Sequence, residues 1–247
     1  MCCAALLILA GCGGRRETTL TVSAAASLQD ALGQVADAYR ARHPGTKIDF
    51  NFGGSGALAQ QIEDGAPVDV FLSAAPGPMD RLAARGLLAE GTRRDVLRGE
   101  IVLVAPRENP DLKSFAALCQ SQVKLVALAD TASVPAGMYG KQVLTALGLW
   151  GCVQGKLVLA KDVRQVLSYV ETGNADAGIV YETDARQSAR VRVAAVAPEG
   201  THAPVVYPMA VLRGARDPAA AREFAAFLTG PEARAIFVAQ GFTAAAP

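Results

Sequence analysis

Short apolar runs recur along the chain at Leu20 to Ser23, Lys47 to Phe52, Val68 to Ser73, Glu100 to Ala105, Lys124 to Ala129, Lys156 to Ala160, Ala177 to Tyr181, Val191 to Val196 and Val205 to Leu212. Their length and β-branched content predict strands. Between them the period changes. Leu28, Leu32, Val35 and Tyr39 make an i, i+4, i+7, i+11 stripe that ends at His43-Pro44-Gly45, where proline and glycine stop a helix. Further helices are predicted at about 57–64, 78–85, 136–147, 162–171, 218–228 and 231–240, several opened by proline and closed by glycine. Strands alternating with helices predict an α/β protein with largely parallel strands, uninterrupted by repeats or a long low-complexity linker.

The first twelve residues, Met1 to Cys12, break this pattern. Their apolar run is too short for a bilayer-spanning helix, which takes about 20 residues, and reads as the hydrophobic part of an export signal, although no Lys or Arg precedes it. Leu9-Ala10-Gly11-Cys12 resembles a lipobox, so Cys12 is the expected lipidation site and the mature chain is expected in the periplasm or cell envelope, held to the membrane by lipid alone. An ordinary cleaved signal with an incidental cysteine is the alternative. Cys2 and Cys3 leave with the signal, so Cys119 and Cys152 remain. An even pair in an oxidising compartment suggests one disulfide, against the alternative of two buried free thiols.

Charge and composition exclude several functions. The 247 residues hold 24 Lys plus Arg and 23 Asp plus Glu, a net charge of +1, which offers no basic face for tracking nucleic acid. Two histidines, His43 and His202, leave little for a metal cluster or an imidazole base. No enzyme is expected: a nucleophilic Ser27 or Ser55 would need an activating base, and no GxSxG elbow occurs. No cofactor and no free metal cation are expected either.

The chemistry is concentrated where a strand feeds a helix through small residues. Ala24-Ala-Ala-Ser27-Leu28 and Gly53-Gly-Ser55-Gly56 each bring a serine to a helix start, where unpaired N–H groups carry partial positive charge and attract anions. The glycines permit unusual dihedrals or close approach. Each serine also has a purely structural reading as an N-cap, and Ser27 with Asp30 has the spacing of a capping box. Val134-Pro-Ala136-Gly137 and Asp162-Val163-Arg164 open two more helices in the same way.

In order along the chain, Ala-Ala-Ala-Ser-Leu at 24–28, Gly-Gly-Ser-Gly-x-Leu-x-x-Gln-Ile at 53–62, Gly-Ala-Pro-Val-Asp-Val-Phe-Leu-Ser-Ala at 65–74, Val-Pro-Ala-Gly-x-Tyr at 134–139, Asp-Val-Arg at 162–164 and Gly-Ile-Val-Tyr-x-x-Asp-Ala at 178–185 resemble the periplasmic molybdate-binding proteins of ABC transporters, over about residues 19–242. The resemblance implies a type II, two-lobed periplasmic binding protein, each lobe a mixed sheet flanked by helices, joined by two crossover segments near 100–105 and 203–208. The implied layout is a signal at 1–12, a tether at 13–18, a first lobe of 19–102 and 206–247, and a second lobe of 103–205. It further implies a ligand set of Ser27 and Ser55 hydroxyls, Ala136 and Val163 backbone N–H groups and the Tyr181 hydroxyl; without the motif Tyr181 reads as a core tyrosine at the rim of a strand. The function implied is high-affinity capture of molybdate or tungstate by a monomer and delivery to an ABC permease. A carrier for another tetrahedral oxyanion, such as sulfate, is the alternative. The family often has further hydroxyl residues beside the second serine, where this chain has Gly54 and Gly56.

All five groups are neutral donors, suited to a fully deprotonated dianion. No carboxylate is among them to receive a proton from hydrogen phosphate, and an unpaired buried polar group costs about 1–3 kcal/mol. Sulfate, molybdate and tungstate share one charge, which leaves cavity size to separate sulfate from the other two.

Overall fold

A computed structural model describes residues 18–245, so the signal segment, Cys12 and residues 13–17 of the expected tether lie outside the described residues. Thr18, expected in the tether, opens the first strand. The first lobe begins with β1 (Thr18–Ala25), α1 (Gln29–Arg42), β2 (Thr46–Gly53), α2 (Ser55–Glu63), β3 (Val70–Leu72), α3 (Pro76–Ala84) and β4 (Arg94–Gly99). The chain then builds the second lobe from β5 (Ile101–Pro106), β6 (Val126–Ala129), α4 (Pro135–Ala146), α5 (Trp150–Val153), β7 (Leu157–Ala160), α6 (Val163–Glu171), β8 (Ala177–Tyr181), α7 (Glu182–Arg186) and β9 (Val191–Val196). It returns to the first with β10 (Val205–Val211), α8 (Pro218–Thr229), α9 (Pro231–Ala239) and β11 (Thr243–Ala244).

The first sheet has the order β11-β4-β10-β3-β1-β2 and the second β7-β6-β8-β5-β9. Each has a parallel half, β3-β1-β2 or β7-β6-β8, beside an antiparallel half containing a strand next to the crossover. The sheets are therefore mixed, less parallel than the strand–helix alternation suggested.

Both expected crossings move by a few residues. Gly99 ends β4 in the first sheet and Ile101 begins β5 in the second, so Ile101 and Val102, expected in the first lobe, pair with Tyr181 and Val180 of β8. Val205, expected in the second lobe, pairs with Gly99. The polar stretch Arg98-Gly99-Glu100 carries the switch, whereas the apolar run after it is buried as one strand. Two strands had no hydrophobic signal: β4 buries only Val96 and Leu97 within a charged sequence, and β11 is two residues long.

Local chemistry explains the helices. In α6, Val163, Val166, Leu167 and Val170 are buried, and Asp162 caps the start by accepting the Gln165 N–H at 2.9 Å. Burying such side chains contributes about 1.5–3 kcal/mol each, and the cap about 1 kcal/mol. The stripe of α1 is buried at Leu32, Val35 and Tyr39, continuing from buried Leu28. Leu58, Ile62, Phe71, Met79 and Leu82 form a separate cluster where α2 and α3 cover β3. Cys119 and Cys152 are joined in a disulfide with their Cα atoms 5.5 Å apart. They lie in helical turns ahead of the parallel pair β6 and β7, and Cys152 is exposed. No helix among the described residues is long and apolar enough to cross a membrane.

Candidate functional site

Strand register brings the helix starts together. Ala25, the last residue of β1, pairs with Gly53, the last of β2, so the segments carrying Ser27 and Ser55 leave the sheet side by side. In the second lobe Ala129 at the end of β6 pairs with Ala160 at the end of β7, and the segments to α4 and α6 also leave together. Tyr181 ends β8 beside them. Both groups thus emerge from the carboxyl ends of parallel strands, where open α/β sheets bind their ligands.

They meet in one narrow cleft with a cavity volume of about 10 Å³, lined by Ser27, Ser55, Ala136, Val163 and Tyr181 together with Ala25, Ala26, Gly53, Gly54, Ala74, Val134, Pro135 and Asp162. Drug-sized ligands occupy pockets of roughly 300–1,000 Å³, so the cleft excludes them, and an occupant of a few atoms enters only as the lobes part. A larger groove of about 880 Å³ lies alongside, lined by Pro76, Pro78, Met138 and Tyr139 among others, but the five residues of the expected ligand set are not in its wall.

Neither serine acts as a cap. Ser27 lies within a short 3-10 turn, Ala26–Leu28, whose N-cap is Ala25, and no side chain caps that turn or α1. Its hydroxyl is 3.3 Å from the Tyr207 hydroxyl. Asp30, expected as the other half of a capping box, pairs with Arg164 instead. Ser55 is the first residue of α2, after the cap position at Gly54, and its Oγ accepts the Ala74 N–H at 3.0 Å. That bond occupies a lone pair and leaves the hydroxyl proton free to be donated elsewhere.

The second lobe contributes backbone. Pro135 and Ala136 are the first two residues of α4, and Val163 is the first of α6, so the N–H groups of Ala136 and Val163 have no intrahelical acceptor. Gly137 lets α4 sit this close to β6: a Cβ there would stand 2.1 Å from the Ala129 carbonyl oxygen. Tyr181 is 1% exposed, and its hydroxyl has no hydrogen-bond partner among the described residues. Burial, with the neighbouring Tyr207 hydroxyl, raises its pKa well above the ordinary phenol value, so it stays protonated and a donor. A buried unpaired hydroxyl costs about 1–3 kcal/mol, which an acceptor in the cleft would offset.

One acidic residue lines the cleft where none was expected. It is Asp162, and its Oδ1 is engaged by the Gln165 N–H. The residues that sequence reasoning missed are Tyr207, Arg164, Asp30 and Asp184. Arg164 follows Val163 and reaches both Asp30 of the first lobe and, through Nε at 2.7 Å, Oδ1 of Asp184. Asp184 is fully buried; burial pushes its carboxyl up to about 7 against the opposing pull of the Arg164 guanidinium. Tyr207 reads from sequence as one more residue of an apolar strand; only the pairing of β10 with β3 and β4 carries it toward Ser27.

The family model for bacterial extracellular solute-binding proteins matches residues 20–243. The chain is 44% identical to the Bacillus subtilis protein YvgL, provisionally named an ABC transporter substrate-binding lipoprotein, over 97% of this chain and 95% of that one. It is 38% identical to the molybdate-binding protein ModA of Haemophilus influenzae, with 96% of each chain covered. Among solved structures, the periplasmic molybdate-binding protein of Azotobacter vinelandii superposes with a TM-score of 0.82 at 28% identity, over 92% of this chain and 99% of that one.

Proposed function

The chain belongs to the bacterial extracellular solute-binding proteins, and we propose that it binds molybdate or tungstate between its lobes and hands the oxyanion to an ABC permease. The observation that carries this reading is the buried Tyr181 hydroxyl, a donor without a partner facing the cleft lined by Ser27, Ser55, Ala136 and Val163. Ser27, Ser55 and Tyr181 each donate a hydroxyl to the ion, and Ala136 and Val163 each donate a backbone N–H. Hydrogen bonds to a charged acceptor contribute about 1.5–3 kcal/mol each, so five convergent donors suffice for tight binding without a formal counter-charge in contact. The disulfide, whose partners are consistent with an oxidising compartment, and the name of the Bacillus relative support an envelope protein. In this reading Cys12 carries the lipid, and the protein acts as a monomer that captures and delivers its ligand without turning it over.

Discrimination follows from charge and size. Sulfate has the same charge as molybdate but shorter bonds, so donors spaced for the larger ion reach it only weakly. Hydrogen phosphate brings a proton that needs an acceptor, and no carboxylate is among the five donor groups; Asp162, in the cleft wall, caps α6 through Oδ1. Calorimetric titration of protein freed of ligand by unfolding and refolding tests this directly. Tight one-to-one binding of molybdate and tungstate is expected, with sulfate and phosphate silent. Sulfate bound as tightly as molybdate would favour the general oxyanion carrier, and silence from all four ions would overturn the ligand assignment.

A further inference from the structure

Among the described residues the lobes touch beside the cleft at Gly56 and at Asp30, groups outside the proposed donor set. On one side the Gly56 N–H at the start of α2 donates to the Ser133 carbonyl of the second lobe at 3.0 Å. Ser133 is itself held: its N–H and hydroxyl donate to Asp130 Oδ1 at 2.8 and 2.7 Å. A Cβ on Gly56 would stand 2.2 Å from the Ser133 oxygen, and one on Gly54 would stand 2.9 Å from the Lys161 oxygen. Both obstacles are backbone atoms, which cannot swing aside as a side-chain end can. Neither glycine has a positive φ, so close approach, rather than an unusual dihedral, is what glycine serves here. On the other side Asp30 of α1 pairs with Arg164 of α6, whose guanidinium is also 2.7 Å from buried Asp184.

We propose that Gly54 and Gly56, with the Asp30–Arg164 pair opposite, are positioning residues that latch the two lobes together and so set how long the oxyanion is held, without donating a hydrogen bond to it. The proposal rests on the reading of the cleft as an oxyanion site. The absence of side chains at 54 and 56 gains a physical role: hydroxyl residues there would meet the second lobe's backbone before the lobes reached this separation. The two contacts differ in kind. The glycine contact is steric and independent of salt. The ion pair is partly exposed and weakens as salt screens it.

The test compares wild type with Gly56→Ala, Asp30→Asn and Asp30→Glu, with Gly33→Ala as a control, because a Cβ on Gly33 meets nothing within 4 Å. Molybdate and tungstate association and dissociation rates are measured by stopped flow, and the radius of gyration by small-angle X-ray scattering with and without each ion. Gly56→Ala is expected to release the ion at least tenfold faster with association changed less than threefold, and to lose the compaction that the ion produces. Asp30→Asn is expected to release it severalfold faster at low salt and no faster at high salt, while Asp30→Glu and Gly33→Ala behave as wild type. Wild-type release and compaction in Gly56→Ala would overturn the latch, as would loss of ion binding through slower association alone. If wild type binds neither ion, the ligand reading fails, and the latch is judged on scattering from the unliganded proteins. A larger radius for Gly56→Ala than for wild type then supports it, and equal radii overturn it.

Discussion

The two walls of the cleft use different parts of the polypeptide. The first lobe presents Ser27 and Ser55, side-chain hydroxyls fixed by partners within its own sheet and loops, the Tyr207 hydroxyl and the Ala74 N–H. The second lobe presents the helix starts at Ala136 and Val163, where on the proposed reading the backbone N–H rather than the side chain meets the ion, with Tyr181 as the proposed hydroxyl. Substitution should therefore act oppositely on the two walls. Removing a side chain damages the first wall and Tyr181, whereas Ala136 and Val163 fail only when the backbone donor is removed or displaced.

Val163→Pro is the sharpest way to break that contrast. Proline is well tolerated at the first helical position, and Asp162 is already extended at φ −158° and ψ 173°, as a residue before proline prefers. The helix should survive while the N–H is lost. Losing a bond to a charged acceptor, about 1.5–3 kcal/mol at 1.4 kcal/mol per tenfold, should raise the molybdate Kd by about tenfold to a hundredfold in calorimetry. Val163→Ala keeps the N–H and should leave the Kd within about threefold, at some cost in stability from lost packing. Equal losses in the two variants would show that the side chain matters and the contrast is wrong.

Tyr181→Phe should raise the Kd by about tenfold or more while leaving the unliganded protein at least as stable, because it removes a buried hydroxyl that has no partner. A fall in the unliganded melting temperature with unchanged affinity would make Tyr181 a core residue after all. Ser27→Ala should cost less, a few-fold in Kd, since the Tyr207 hydroxyl beside it remains available in the first wall.

The smallest effect concerns the charge behind the second wall. Burial raises Asp184 from 3.8 to about 7, so between those values the folded protein holds a proton that the unfolded chain has released. That contribution to stability is complete below pH 3.8 and is lost as the pH rises through about 7. The urea midpoint is expected to fall over this window in wild type and to fall less in Asp184→Asn. An identical pH profile for the two would mean that Asp184 stays ionised beside Arg164 throughout.

Much of this was legible locally. The strand runs, the α1 and α6 stripes and the glycine–serine and alanine–serine junctions depend on windows of a few to a dozen residues, where side-chain period and turn chemistry operate. β4 was not legible, because Arg94–Gly99 has only Val96 and Leu97 to bury and owes its place to β10 alongside it. The capping reading of Ser27 was plausible for the same local reason. It failed because Ser27 lies inside a 3-10 turn that begins after Ala25, with its hydroxyl beside Tyr207, 180 residues away.

Sequence alone determined the alternation of strands and helices, the near balance of acidic and basic residues, and the identity of the groups at each helix start. It could not decide that these groups face one another. That depended on the alignment of Ala25 with Gly53 and of Ala129 with Ala160, and on the approach of Gly56 to Ser133 and Asp30 to Arg164. Helical period and capping act between near neighbours in the chain, whereas strand register and lobe contact are fixed by packing between segments that only the folded structure brings within reach.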